Sequence, residues 1–289
     1  MSKALAVPVL LLAAAVAWGQ SADEKKATVA YLQALQTKQG GFRASATATA
    51  PSLRATSSAL RALRYFGGEA KDKATCQKFV LACHDAKTGG FADTPKGKPD
   101  AIVTAVGLMA LVELKVPTAR YEKAAIAYMT ENARSFEEMR MAAAGLETVG
   151  KTSDKNREWL KKLARMRNTD WTFGKGDGKA RETGGAVAAV LRLGGKVEPK
   201  GVIKALDAGQ RKDGGFGKEK VEESDLETSY RVMRTYHMLK AKPARADDLK
   251  AYVAKCRNKD GGYGVVPGGA SSTSGTYFAG IILHWLGEK

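Results

Sequence analysis

Two carboxylates and a phenol fall at the opening of one predicted helix: Asp225, Glu227 and Tyr230. Acids beside a phenol can move protons. Glu222 and Glu223 just upstream extend the run to a set of oxygen donors that suits a hard cation such as magnesium. Arg231 on the same helix and Arg181 in the preceding segment offer guanidinium forks to a diphosphate. Tyr236, Tyr277 and Trp285, with Phe278, are aromatic faces for an apolar ligand or a cation. The candidate set is thus catalytic Asp225, Glu227 and Tyr230, ligand-binding Arg181, Arg231, Tyr236, Tyr277 and Trp285, and Asp225 with Glu227 again as metal candidates. The same carboxylates have a plainer reading, since negative charge is favourable at a helix N-terminus. Cys76, Cys83 and Cys256 are too few for a disulfide framework and show no metal-ligand spacing. Cys76 and Cys83 would lie about 10 Å apart along one helix, beyond disulfide reach; either could still meet Cys256, and the plainer reading is three small buried residues.

The elements that hold these residues come from a repeat. Gly-Gly-aromatic recurs as Gly40-Gly41-Phe42, Gly89-Gly90-Phe91, Gly214-Gly215-Phe216 and Gly261-Gly262-Tyr263, with a worn copy at Trp171-Thr172-Phe173-Gly174 and a weaker one at Arg134-Ser135-Phe136. The aromatics stand at 42, 91, 136, 173, 216 and 263, so the steps are 49, 45, 37, 43 and 47 residues. A period in the forties marks one supersecondary unit used many times. An amphipathic helix precedes each punctuation, as in Trp159-Leu160-Lys161-Lys162-Leu163. The glycines end it by supplying positive φ, and the aromatic folds back into the gap. A second helix follows, opening at Thr56, Thr104, Thr183, Thr228 and Thr273, where the hydroxyl is expected to cap free N–H groups. The third repeat lacks this threonine and reads Arg140-Met141-Ala142-Ala143-Ala144.

The second helix type is apolar around most of its circumference, as in Ala186-Val187-Ala188-Ala189-Val190-Leu191, and must be buried on nearly all sides. Six pairs of this kind predict an all-α fold of two concentric layers, an α/α toroid. A straight solenoid of helix pairs is the competing arrangement. Aromatics on the inner helices are expected only in the last two repeats.

Gln36-Thr37-Lys38-Gln39-Gly40-Gly41-Phe42 and Gln210-Arg211-Lys212-Asp213-Gly214-Gly215-Phe216 share one pattern, Q-x-x-x-G-G-F. Together with Asp225-Leu226-Glu227-Thr228-Ser229-Tyr230, this resembles the repeat of protein prenyltransferase β-subunits and squalene/terpene cyclases. The resemblance covers nearly all of residues 20–289 and implies an α/α toroid with an isoprenoid-type ligand in a central cavity. It also implies a zinc ion held by an aspartate, a cysteine two residues on, and a histidine at the next inner helix. Asp225 matches the aspartate, but the cysteine position falls at Glu227 or Thr228, and residues 271–275 hold no histidine. Zinc or magnesium thus has only part of the family's ligand set. The cyclase acid D-x-D-D is approached only by Glu223-Ser224-Asp225-Leu226, and the Gly-Cys-Gly-Glu-Gln of complement-type thioester proteins is missing.

Met1 to Gly19 reads as an export signal: Lys3, then an apolar run from Ala4 to Ala17, then small residues Ala17 and Gly19 at the cleavage site. Residues 20–289 would then be one exported toroid, periplasmic or secreted, with no transmembrane segment in the mature chain. The formal net charge of +17 implies a basic exterior that attracts anionic lipids or diphosphates. No nucleic-acid motif accompanies it. The partners expected are an isoprenoid or lipid-like small molecule and, in a competing reading, a protein docked on the end loops of a non-catalytic scaffold. A third reading is a carbohydrate-active toroid using Asp100, Asp225 and Glu227.

Overall fold

A helix that is apolar nearly all round needs neighbours on every side, and a ring of such helices inside a second ring supplies them. A computed structural model describes residues 20–287 and has this arrangement. The predicted export segment Met1–Gly19 lies outside the described residues. In chain order the helices are α1 (Ala22–Ala34), α2 (Leu53–Tyr65), α3 (Lys73–Ala82), α4 (Ala101–Glu113), α5 (Ala119–Asn132), α6 (Phe136–Thr148), α7 (Asn156–Met166), α8 (Lys179–Arg192), α9 (Pro199–Ala208), α10 (Leu226–Met238), α11 (Ala246–Lys255) and α12 (Thr273–Trp285). Odd-numbered helices are outer and even-numbered ones inner. Each inner helix packs on the next around the ring, and α12 packs back on α2, so the array closes and is not a straight solenoid. α4 shows why: residues on every side of it are buried, including Val103, Ala105, Leu108 and Leu111. In α7, by contrast, only Trp159 and Leu163 are buried.

The glycine punctuation sets the spacing between outer helices. Gly40 has φ of +93°, and a Cβ there would stand 2.1 Å from the carbonyl oxygen of Thr75 in the next outer helix. Gly261 has φ of +88° and meets Ala27 of α1 in the same way. The last repeat therefore grips the first outer helix as Gly40, Gly89 and Gly214 grip α3, α5 and α11. Thr28 Oγ1 donates to the Gly261 carbonyl at 2.8 Å across that seam. Gln210 explains the first letter that the two Q-x-x-x-G-G-F copies share: its Nε2 donates to the carbonyls of Gly214 at 2.8 Å and Arg245 at 2.9 Å, tying the loop to the start of α11. In the worn copy Trp171 occupies the positive-φ place itself, at +66°, a conformation costing a non-glycine residue about 1–2 kcal/mol.

Two expectations need correction. The recurrent hydroxyl does not cap its helix. α2, α4, α8 and α10 start two to four residues before Thr56, Thr104, Thr183 and Thr228, and α12 starts at Thr273 itself; the side-chain caps are Ser52, Asp100, Asp225 and Ser272. Thr56, Thr104 and Thr183 instead accept the backbone N–H of Phe42, Phe91 and Phe173, each at 2.9 Å, and Ser229 and Thr276 accept those of Phe216 and Tyr263 at 3.1 Å. The aromatic's N–H is buried and needs an acceptor, and the hydroxyl one turn into the helix is the one within reach. The Ser135-Phe136 copy is also different: Ser135 caps α6 through a capping box with Glu138, and Phe136 is the first residue of that helix, not a plug between helices.

Candidate functional site

The N-terminal halves of the inner helices surround a cavity of about 570 Å³. α2 contributes Arg54, Ser57, Ser58 and Arg61; α4 contributes Ile102, Val106 and Met109; α6 contributes Glu137, Arg140 and Met141. α8 adds Arg181, α10 adds Glu227, Tyr230 and Arg231, and α12 adds Tyr277 and Phe278. All six inner helices thus present the same end to one mouth, and their dipoles make that mouth electropositive. The wall formed by α4 and Met141 is aliphatic, while the opposite wall is aromatic and charged.

Ion pairs bind the rim together. Glu137 accepts from Arg231 at 2.6 Å and from Arg140 at 2.8 Å. Glu227 accepts from Arg231 at 2.8 Å and Arg181 at 3.4 Å, with Lys218 at 3.7 Å. Arg231 therefore bridges α6 and α10 past α8. α8 allows this because it is built of small residues: a Cβ on Gly184 would stand 2.9 Å from the Val232 Cα. Burial raises the Glu227 carboxyl, but Arg231, Arg181 and Lys218 outweigh it and hold it below the ordinary glutamate value. Glu137 is held low in the same way, burial being overcome by Arg140 and Arg231.

Deeper in, the Tyr230 hydroxyl accepts from Arg234 Nη2 at 2.9 Å and from the Tyr277 hydroxyl at 3.3 Å. The Arg61 guanidinium lies 4.1 Å above the Tyr277 ring, and that of Arg234 lies 4.7 Å from the Trp285 ring. Trp285 stacks on Tyr230 at 5.9 Å. Burial raises Tyr230, yet Arg234, Arg61, Arg192 and the Tyr277 hydroxyl together hold its phenol well below the usual tyrosine value. Tyr277 is pushed the other way, chiefly by burial.

Of the residues singled out in the sequence, Glu227, Tyr230, Arg181, Arg231 and Tyr277 line this cavity. Trp285 lies behind Tyr230. Tyr236 turns outward, donating to Asp207 on α9 at 2.6 Å. Asp225 is buried as the N-cap of α10, accepting from the Thr228 N–H at 2.7 Å and the Thr228 hydroxyl at 2.9 Å. Asp100 caps α4 likewise. Glu222 and Glu223 are exposed. Sequence reasoning missed Arg61, Glu137, Arg140 and Arg234. A lone arginine within an apolar inner helix, as in Ala59-Leu60-Arg61-Ala62-Leu63, was the available signal. It also missed Tyr65, which ends α2 and lies 6.3 Å from Tyr277, so inner-ring aromatics extend beyond the last two repeats.

The residues at the family's zinc position do not fit a zinc ion. Asp225 is committed to its helix cap, and Glu227 is ringed by three cations. Among the described residues no group of three or more His, Cys, Asp or Glu side chains gathers to hold a metal. Burial pushes the thiols of Cys76, Cys83 and Cys256 up to about 12, so all three stay protonated at neutral pH. No described helix is long and apolar enough to cross a membrane.

Residues 8–73, 68–139 and 118–288 match the model of the prenyltransferase alpha-alpha toroid domain. Among solved structures, protein geranylgeranyltransferase-I from Candida albicans, complexed with GGPP, is 14% identical with a TM-score of 0.66, over 81% of this chain and 83% of that one. A protein from Actinoplanes is 13% identical with a TM-score of 0.61, over 92% of this chain and 98% of that one. A variant of the type II terpene cyclase MstE from Scytonema, in complex with geranylgeranyl dihydroxybenzoate, is 10% identical with a TM-score of 0.58, over 91% and 96% of the two chains. At these identities the likeness is one of fold. No curated protein matches the chain.

Proposed function

Because the chain belongs to the prenyltransferase α/α-toroid family, we propose that it is an exported, prenyltransferase-like toroid whose central cavity binds an isoprenoid-type amphiphile with an anionic head. One observation carries this reading: arginines from four inner helices and the N-termini of all six converge on a single cavity that also has an aliphatic wall. Positive charge at helix N-termini attracts an oxyanion, and Ile102, Val106, Met109 and Met141 give an apolar chain a surface to leave water for. A volume of about 570 Å³ falls within the usual range for small-molecule sites. The neighbours solved with GGPP and with geranylgeranyl dihydroxybenzoate support the ligand class. They transfer no reaction, since one fold hosts many chemistries.

Calorimetry with geranylgeranyl diphosphate and with neutral geranylgeraniol tests this. Saturable binding of the diphosphate, tighter than of the alcohol, is the expected result. No heat and no thermal stabilisation by either compound would return the chain to the scaffold reading. Export is tested separately: Met1–Gly19 fused to a reporter should carry it out of the cytoplasm and be removed, and retention of the uncleaved fusion would overturn it.

A further inference from the structure

The two levels of the cavity differ in how their charges are balanced. At the rim, Arg54, Arg140, Arg181 and Arg231 each have a carboxylate of this chain within 4.0 Å. Deeper in, Arg61 on the cavity lining and Arg234 behind Tyr230 have none within that reach among the described residues. Arg61 has the Met109 sulfur at 3.7 Å and the face of Tyr277. Arg234 has the Tyr230 hydroxyl, the face of Trp285, and a buried Nε with no hydrogen-bond partner. A guanidinium cannot shed its proton, and a cation removed from water without a counter-ion costs several kcal/mol. Glu147 of α6 attracts Arg234 from a distance but is paired directly with Arg192 of α8 at 2.7 Å. What faces the two cations is oxygen of another kind, the paired hydroxyls of Tyr230 and Tyr277, with Tyr65 beside them.

We propose that Arg61 on the cavity floor and Arg234 behind Tyr230 form an oxyanion subsite, that the Tyr230 oxygen fills it as a phenolate in the ligand-free protein, and that the head of a carboxylate-headed amphiphile takes the place of that oxygen as the Tyr230 ring moves aside. Tyr230 then takes one proton from solvent as the carboxylate enters, and no bond to carbon forms or breaks. A monoanion is the matching ligand, because exchanging it for the phenolate leaves the charge of the floor unchanged. The two carboxylate oxygens can also face the two guanidiniums. The geometry favours an ionised oxygen there, since it accepts from both Arg234 Nη2 and the Tyr277 hydroxyl; against burial, which opposes it, Arg234, Arg61 and Arg192 lower the phenol in the same direction. This subsite rests on the amphiphile reading for its ligand, but its ligand-free half stands by itself.

The ligand-free half is tested first, by ultraviolet titration of the whole protein. Wild type should show tyrosinate absorbance well below the ordinary tyrosine range, absent in Tyr230→Phe and moved to higher pH in Arg61→Met. The Arg61→Met shift keeps the test decisive even if Tyr230→Phe fails to fold by circular dichroism. Absence of low-pH tyrosinate overturns the proposal. Next, farnesoate is titrated calorimetrically at mildly alkaline pH in buffers of different ionisation heat. Wild type should take up about one proton per farnesoate bound, Tyr230→Phe none, and Arg61→Met should bind about tenfold more weakly. Farnesoate binding without proton uptake overturns the displacement. If geranylgeranyl diphosphate binds and farnesoate does not, the subsite fails while the amphiphile reading survives. If neither binds, the ligand reading fails, and the spectrum alone still decides the phenolate.

Discussion

The rim and the floor of the cavity are both rich in arginine, yet they solve opposite problems. At the rim, Glu137 and Glu227 knit α6, α8 and α10 together, and charge is balanced within the chain. At the floor, Arg61 and Arg234 meet phenols and aromatic faces. The helix N-termini still draw an anion to the neutralised rim, whereas the unbalanced charge below it is where the anion comes to rest. The difference teaches that counting arginines around a cavity does not locate an anion site. The arginines that lack carboxylates do.

The largest effect is expected where the balance is most delicate. Tyr230→Phe removes the oxygen facing Arg234 and, with it, the proposed counter-ion of Arg61. Breaking a buried charge pair costs about 3–5 kcal/mol; both arginines are only partly buried, so about 2 kcal/mol is expected after screening. The sign with pH follows from the lowered phenol. Above the ordinary tyrosine value near 10 its contribution is fully present, and it is lost as pH falls through the lowered folded value. Urea midpoints of wild type and Tyr230→Phe should therefore diverge most in alkali and converge on the acid side. A pH-independent gap would mean the oxygen is a neutral hydroxyl.

Glu227→Gln probes the rim. Arg181 and Lys218 lose a partner, but Arg231 keeps Glu137, and the Glu227 side chain is 32% exposed. A loss of about 1 kcal/mol is expected, read from chemical unfolding. The pH dependence is the mirror of the floor's. Glu137 and Glu227 are held low, so their contribution is present above about pH 4.3 and is lost as pH falls through their lowered values. Glu227→Gln should flatten the acid limb of the stability curve and leave the alkaline limb intact, while Tyr230→Phe should do the reverse.

The ring was legible in the sequence because its signals are local. Gly40 and Gly261 need positive φ, and the inner helices need cover on all sides, whatever lies across the molecule. Glu227, Arg181 and Arg231 were legible as polar residues at helix starts. Partnerships were not. Thr56 recurs visibly, but nothing in its own helix says that it accepts the Phe42 N–H. Asp225 looked like an acid for chemistry and is an N-cap, because a carboxylate just before a helix serves either role and only the buried geometry chooses. Arg61 and Arg234 lie in repeats far apart in the chain. They share the Tyr230–Tyr277 pair only because α12 closes onto α2.

The smallest effect should come from Arg54, the rim arginine most open to water. Its side chain is 47% exposed, and it reaches Asp100 at 3.4 Å and Asp93 at 4.0 Å, both carboxylates themselves over 40% exposed. Solvent already screens such pairs, so Arg54→Gln should change stability by no more than about 0.5 kcal/mol. Asp100 separates the two roles that a rim carboxylate can have. Its Oδ1 accepts the Val103 N–H at 2.7 Å as the cap of α4, while its Oδ2 faces Arg54. Asp100→Asn keeps a good cap and deletes the charge, so it should match Arg54→Gln, whereas Asp100→Ala should cost about 1 kcal/mol through the lost cap. A double-mutant cycle between Arg54→Gln and Asp100→Asn should then give a coupling near zero. A coupling as large as the loss expected for Glu227→Gln would show that the outer rim is a working part of the ion-pair network and would move the boundary between balanced and unbalanced charge outward.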